Sequence, residues 1–351
     1  MSVHNPSKIL VITGCPGIGD MVIRLPVLEA IKQKYPKAYL AVMIRNRPEL
    51  YEIIQHLPFI DEIITHDRPY KKTHLFKTLK CAFDIRRKKF DTVIVWGRAR
   101  LREPFLAYFS GAKIRIGYDT KKGLGEKLYT YIAHSLPLQH ESLNIFKTLT
   151  PLNIPKPSEI KFNFPIENKA TESIKKLLKE KNIDPDQDTI VTLHTCAHFW
   201  GRRWQIEKWG ELIDDINHKS KAKIILTGSE EDQKYINDII SLSKTPCLSL
   251  AGQINISELA ALFKLAKHHI GIDSGPTHLA AAVGTSCTVL YGPSRPERWH
   301  PLNNNYVSLS QHLPCSPCNE KCIYKTNICL EKIEVSEVPA ALLNNLAYSL
   351  P

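Results

Sequence analysis

The chain has 351 residues, of which 43% are hydrophobic and 23% charged, with a formal net charge of +12. That is enough for two domains of ordinary size, each with a real core. No segment approaches eighteen uncharged apolar residues, which excludes a transmembrane helix, and the leader before Ile9-Leu10-Val11-Ile12 does not have the form of a signal peptide, so a cytoplasmic protein is expected.

Strand and helix signals alternate from the start. Short β-rich runs lie at residues 9–13, 40–44, 62–65 and 92–96, with helical stretches at about 21–34, 48–56 and 75–88 between them. Strands separated by helix-length segments predict βαβ units and a parallel sheet. A segment with Pro151, Pro155, Pro157 and Pro165 reads as a linker. The alternation then restarts: helix 169–181, strand 189–193, helix 206–218, strand 223–227, helix 230–242, a capping box at Asn255-Ile256-Ser257-Glu258 before an apolar-periodic 259–266, and strands 269–272 and 288–291. A terminal amphipathic helix is expected over about 335–348. The predicted architecture is α/β, with two Rossmann-like domains at 1–160 and 161–351, parallel sheets and a central cleft.

The charge surplus is confined to one half. Residues 1–160 hold 26 Lys+Arg against 14 Asp+Glu, whereas residues 161–351 hold 21 of each. An anionic partner is therefore implied for the first half. Arg86 to Lys89 alone read as a solvated helix face. Arg98, Arg100 and Arg102 follow the strand 92–96, where open α/β sheets place ligands.

The most informative segment is Gly271-Ile272-Asp273-Ser274-Gly275-Pro276-Thr277-His278-Leu279-Ala280-Ala281-Ala282. A buried strand gives way through a tight turn to a helix with Pro276 in its first turn, which aims backbone N–H groups above the sheet edge. That place suits a phosphate or diphosphate, and His278 adds a donor one turn in. At the first strand-to-helix turn, Gly14-Cys15-Pro16-Gly17-Ile18-Gly19-Asp20 has neither the dinucleotide-binding glycine register nor the Lys-Ser/Thr pair of a P-loop. Asp20 is a helix-capping acid or a general base toward an attacking hydroxyl.

Other candidates carry their alternatives with them. In the loop from His194 to Trp204, one of Arg202 and Arg203 is expected to face a diphosphate, while Trp204 and Trp209 pack under the sheet. Glu230 stands where a ribose would lie, or is a first-turn acid favoured by the helix dipole. Asp184-Pro185-Asp186 precedes a strand and reads as a turn rather than a metal motif. Cys315, Cys318, Cys322 and Cys329 are four thiols in fifteen residues, a set that suits a structural zinc or an iron–sulfur cluster. The scattered Cys15, Cys81, Cys196, Cys247 and Cys287 read as small core residues.

Taken together, Gly17-Ile18-Gly19-Asp20 with Leu25-Pro26, the Asp273 to Ala282 segment, Tyr291-Gly292-Pro293 and Arg202-Arg203-Trp204 resemble the lipopolysaccharide core heptosyltransferases of glycosyltransferase family nine. The resemblance implies a GT-B fold, with the acceptor on the N-terminal domain and the nucleotide sugar on the C-terminal one. It implies inverting transfer of heptose from ADP-heptose to the lipopolysaccharide inner core, with no cofactor required for catalysis. Asp20 then looks like the base, and Arg202, Glu230, Asp273, Ser274, Gly275 and His278 like donor contacts. Gly17, Gly19, Arg98, Arg100 and Arg102 fall on the acceptor side. The loop from His194 to Arg202 departs from the family pattern by about one residue. An acceptor rich in carboxylates and phosphates agrees with the basic first half, and a peripheral contact with the inner face of the inner membrane is expected. Competing readings are a GT-B enzyme with another nucleotide sugar, a basic nucleic-acid-binding protein, disfavoured by the absence of aromatics among the basic residues, and an NAD-dependent oxidoreductase, disfavoured by the glycine register.

Overall fold

The computed structural model describes residues 5–14, 17–67, 74–97, 101–119, 123–311, 313–318, 322–324 and 326–338. The chain divides into two compact units, Met1–Lys161 and Phe162–Pro351. Among the described residues no helix is long and apolar enough to cross a membrane.

Unit 1 runs β1 (Lys8–Ile12), α1 (Ile18–Val22), α2 (Leu25–Lys34), β2 (Tyr39–Arg45), α3 (Pro48–Ile54), β3 (Glu62–His66), α4 (His74–Arg87), β4 (Thr92–Val95), α5 (Arg102–Phe109), β5 (Ile114–Tyr118), β6 (Tyr131–Ala133) and α6 (Glu141–Phe146). Its sheet has the order β3-β2-β1-β4-β5-β6, and every pairing is parallel. The central strands are unbroken apolar runs because helices cover both faces of a parallel sheet; Ile9 to Ile12 and Val93 to Val95 are buried throughout. One core joins Leu10, Ile12, Met43 and Val93 to Ala82 and Ile85 of α4 and to Leu106 and Ala107 of α5.

The helix predicted over 21–34 is two helices. Pro26 has no N–H to give to the preceding turn, and α2 begins with it in the first turn, after an interruption at Ile23 and Arg24. Arg24, 7% exposed, uses the break to donate from Nη1 to the Thr13 carbonyl at 2.7 Å, just past the end of β1.

Unit 2 runs α7 (Asn168–Glu180), β7 (Ile190–His194), α8 (Ile206–Ser220), β8 (Lys223–Leu226), α9 (Gln233–Leu242), β9 (Leu248–Ser249), α10 (Ile256–Leu265), β10 (His268–Ile272), α11 (Gly275–Ala282), β11 (Ser286–Tyr291), α12 (Pro296–Trp299), β12 (Tyr306–Ser310) and α13 (Ile328–Glu331). The sheet order is β12-β11-β10-β7-β8-β9, again wholly parallel. Trp204 and Trp209 meet edge-to-face at 5.1 Å inside its core, as the sequence suggests. The expected capping box starts α10: Asn255 Oδ1 accepts from Glu258 N at 2.9 Å, and Glu258 Oε2 accepts from Asn255 N at 3.0 Å. Glu230 to Asp232 form a single 3-10 turn before α9 rather than its first α-turn. Asp184 and Asp186 lie in a turn, with Asp184 Oδ1 accepting from Asp186 N at 3.1 Å. The helix expected over 335–348 falls almost wholly outside the described residues.

Gly14 lets β1 end close against β4. Its φ is +73°, and a Cβ there would stand 2.8 Å from the Trp96 carbonyl oxygen. Gly17 has extended backbone, and the nearest atom to an added Cβ, Asp20 Oδ2, is 3.7 Å away. Gly14→Ala is therefore expected to lower the unfolding free energy by about 1–3 kcal/mol, and Gly17→Ala by roughly 0.5 kcal/mol or less, as read from urea unfolding midpoints.

Candidate functional site

In unit 2 the strands β7, β8, β10 and β11 are parallel neighbours, so the loops that follow them emerge at one sheet edge. β10 ends at Ile272, Asp273 follows it, and Ser274 is the N-cap of α11 with extended backbone. Pro276 takes the first turn, where a missing N–H is harmless. Gly275 and Thr277 sit where helix geometry supplies no intrahelical acceptor for their N–H groups.

Asp273 organises this edge. Its carboxylate is 7% exposed, and Ser294 donates to Oδ2. Arg202 Nη1 stands 3.7 Å from Oδ2 and donates to the Asp273 carbonyl at 3.3 Å. His278 Nε2 is 3.9 Å from Oδ1. One buried acid thus brings a guanidinium, an imidazole and a helix N-terminus to one place. Of the two candidate arginines, Arg202 is the one at this edge. Arg203 folds back: its Nε donates to the Ala197 carbonyl at 3.0 Å, and its guanidinium lies 4.8 Å from the Tyr235 ring centroid. Ser294 was missed by sequence reasoning; the available signal is its place directly after Tyr291-Gly292-Pro293, at the end of β11.

Beneath the turn runs a chain of buried hydroxyls and imidazoles. Thr277 Oγ1 donates to the Ile272 carbonyl at 2.8 Å. Its single proton is thereby used, so it accepts in its other contacts: from His269 Nε2 at 3.3 Å and from Ser274 Oγ at 3.3 Å. His269 is then the Nε2–H tautomer, and its Nδ1 accepts from Thr192 Oγ1 at 3.0 Å. Gly271 leaves room for this, since a Cβ there would come within 2.5 Å of Thr277 Oγ1 and 2.8 Å of His269 Nε2. The sequence gives no local sign of a link that joins residues on β7, β10 and α11.

Glu230 is exposed past the end of β8. The capping of that turn falls to Asp232, whose Oδ2 accepts from Ser229 N at 3.0 Å and from Ser229 Oγ at 2.8 Å. Glu230 stands with Glu231 and Asp232 in that first turn, where the helix dipole favours an acid.

In unit 1, Asp20 is half-buried at the third position of α1, and its Oδ2 accepts from Gly17 N at 3.0 Å. It closes the glycine turn rather than occupying the N-cap, which is Gly17. Gly19 is buried in the same helix. Arg102, the first residue of α5, reaches His66 at the end of β3, with Nη1 3.3 Å from Nδ1. Burial first, and then this guanidinium, hold the His66 imidazole below its ordinary range. Arg98 and Arg100 lie outside the described residues.

Cys315, Cys318 and Cys322 are half-buried and Cys329 is buried. Burial pushes the Cys329 thiol up, and the Cys318 and Cys322 thiols add to this. Four thiols suit zinc chemically, but among the described residues no three His, Cys, Asp or Glu side chains are assembled to hold a metal ion. The cysteine segment braces the edge loops. Ser316 Oγ donates to the Gly292 carbonyl at 3.3 Å, and Asn327 Nδ2 donates to the Arg203 carbonyl. Among the scattered cysteines, Cys196 and Cys287 are core residues, Cys81 and Cys247 are half-buried, and Cys15 lies outside the described residues.

Three buried histidines surround β7 and β10. Desolvation lowers His194 to about 4 and His268 to about 3. His269 falls well below its usual value through desolvation and then through His194 and His268. The unfolded chain therefore binds more protons than the folded one between about pH 4 and the ordinary imidazole value near 6.5. Stability is present above that window and is lost as pH falls through it, by roughly 1.4 kcal/mol per pH unit for each histidine at most. Urea midpoints taken from pH 7 down to 4.5 should fall steadily, and His268→Gln should flatten the slope.

The family model described as "Glycosyltransferase family 9 (heptosyltransferase)" matches residues 78–327. The chain is similar to lipopolysaccharide heptosyltransferase 3 of Escherichia coli, with 25% identity over 309 residues, or 82% of this chain and 85% of that protein. It is also similar to lipooligosaccharide heptosyltransferase 2 of Haemophilus ducreyi, with 25% identity over 317 residues, 86% and 87% of the two chains. Among solved structures, a family 9 glycosyl transferase from Veillonella parvula superimposes with a TM-score of 0.84 at 21% identity, covering 99% of both chains. The E. coli ADP-heptose lps heptosyltransferase II does so with a TM-score of 0.79 at 19% identity, covering 97% of this chain and 99% of its own. The two parallel sheets are those of a GT-B-like α/β fold, and the chain belongs to glycosyltransferase family 9, the heptosyltransferases.

Proposed function

We propose that this enzyme transfers heptose from ADP-heptose to a hydroxyl of the lipopolysaccharide inner core, with inversion, with Asp20 as general base and with no metal in the chemical step. The observation that carries the reading is the set of groups at the β10–α11 edge: Arg202 and His278 on the buried Asp273, beside the N-terminus of α11. As the glycosidic C–O bond to the donor breaks, the departing ADP gains negative charge. Arg202, His278, the Ser274 hydroxyl and the Gly275 amide stabilise that charge. Ser274 is free to turn its proton from Thr277 Oγ1 to a phosphate oxygen, because Thr277 keeps its donors in His269 and its acceptor in Ile272. Glu230 is proposed beside the ribose.

Unit 1 takes the acceptor in this reading. Its charge surplus suits carboxylates and phosphates, with Gly17 and Gly19 permitting close approach and Arg102 supplying a cation; Arg98 and Arg100 are proposed to join it. Asp20 accepts the proton of the attacking hydroxyl as that oxygen bonds to the anomeric carbon. A single displacement of this kind gives a product of opposite anomeric configuration to the donor. The enzyme is proposed to act in the cytoplasm, against the inner face of the inner membrane where a lipid-linked acceptor resides.

Asp20→Asn keeps the size and the contact with Gly17 N but removes the base. Its kcat should fall by about 10²–10⁴ while ADP affinity stays within roughly twofold, measured by product formation and calorimetry. Full activity in this variant removes Asp20 from the chemistry. A product with the donor's own configuration, read by NMR, removes the single displacement.

A further inference from the structure

The helix α4 buries Ala82 and Ile85 against the unit 1 core and turns its other face outward. Phe76, Lys80, Phe83 and Arg87 stand at spacings of four, three and four residues, so they form one stripe along that face, and all four are exposed. Phe76 is 84% and Phe83 53% exposed. The neighbouring helix α5 extends the surface. Phe83 meets Phe109 edge-on at 5.7 Å, Phe109 stacks on Phe105 at 5.2 Å, and Tyr108 is 55% exposed with the Arg115 guanidinium 5.5 Å from its ring centroid. From Phe76 to Arg87 the only acid is Asp84, against Lys77, Lys80, Arg86 and Arg87. The ion pair of Lys77 with Asp67 spans 3.9 Å between two largely exposed side chains and neutralises little.

A solvated basic face, which is what Arg86 to Lys89 suggest by themselves, does not account for two protruding phenylalanines interleaved with the cations. We infer that the α4–α5 face docks on an anionic lipid bilayer, with Phe76 and Phe83 entering the boundary between headgroups and acyl chains and Lys80 and Arg87 meeting lipid phosphates. Apolar and cationic groups alternating on one helix face is the pattern of an interfacial helix, and the charge is of the sign that anionic lipid attracts. The choice of a bilayer over another polyanion rests on the proposed lipid-linked acceptor; the surface itself rests only on α4 and α5.

The test is co-sedimentation of the full-length protein with vesicles of phosphatidylglycerol and phosphatidylethanolamine, compared with vesicles of phosphatidylcholine alone. Wild type should bind the anionic vesicles at least tenfold more tightly, and the preference should shrink as salt is raised. The pairs Phe76→Ser with Phe83→Ser, and Lys80→Glu with Arg87→Glu, should each weaken that binding about tenfold or more. Both should keep the wild-type urea midpoint and the wild-type rate on a delipidated, water-soluble core acceptor. The surface assignment is overturned if wild type ignores anionic vesicles, or if both pairs bind them as wild type does. Loss of affinity for single-stranded oligonucleotide, with vesicle binding unchanged, would reassign the face to nucleic acid. Absence of transfer to any core acceptor, with vesicle binding lost in both pairs, would sink the functional reading and leave the docking surface standing.

Discussion

The contacts of the buried Asp273 carboxylate with Arg202, His278 and Ser294 set the geometry of the β10–α11 edge. A carboxylate this poorly solvated is tolerable only when paired, and its partners come from three different segments: Arg202 after β7, His278 on α11 and Ser294 after β11. The acid therefore determines where the Arg202 guanidinium and the His278 imidazole stand. Pre-placed charge needs little reorganisation during reaction, and this makes it effective in stabilising a leaving group.

That arrangement needs support from below. His269, kept neutral by burial, donates to Thr277 and leaves the Ser274 hydroxyl able to change partners. Gly271 makes the space, and the parallel order β11-β10-β7-β8 brings the contributing loops to one edge. The braces from Ser316 to Gly292 and from Asn327 to Arg203 tie the cysteine-bearing segment to two of those loops.

Much of this was legible in the sequence because it is written in local pattern. β1, β2, β4, β7, β8, β10 and β11 lie inside their sheets and read as short apolar runs, while β6, β9 and β12 are edge strands, short or half-buried, with no such run. β5 was missed although it is an inner strand, because Arg115 and Gly117 interrupt its apolar pattern. The capping box of α10 needed only Asn255 and Glu258. The break before α2 was signalled by Pro26 but hidden by apolar periodicity that continues across it. Tertiary contact was illegible in principle: nothing local tells that Arg203 will lie on Tyr235 and leave the edge to Arg202, or that Ser294 will reach Asp273. The basic stretch of α4 does contain aromatics, and the sequence argument that basic and aromatic residues are not interleaved fails there: Phe76 and Phe83 lie among Lys77, Lys80, Arg86 and Arg87 and share one face of the helix expected over 75–88.

The proposed function requires a site on unit 2 that binds an adenine nucleoside diphosphate without a metal. Calorimetric titration of the full-length protein with ADP, UDP, GDP and NAD, each with and without EDTA, tests it most directly. The account predicts selective ADP binding that EDTA leaves unchanged. Binding that EDTA abolishes, or no binding of any of the four, would contradict it.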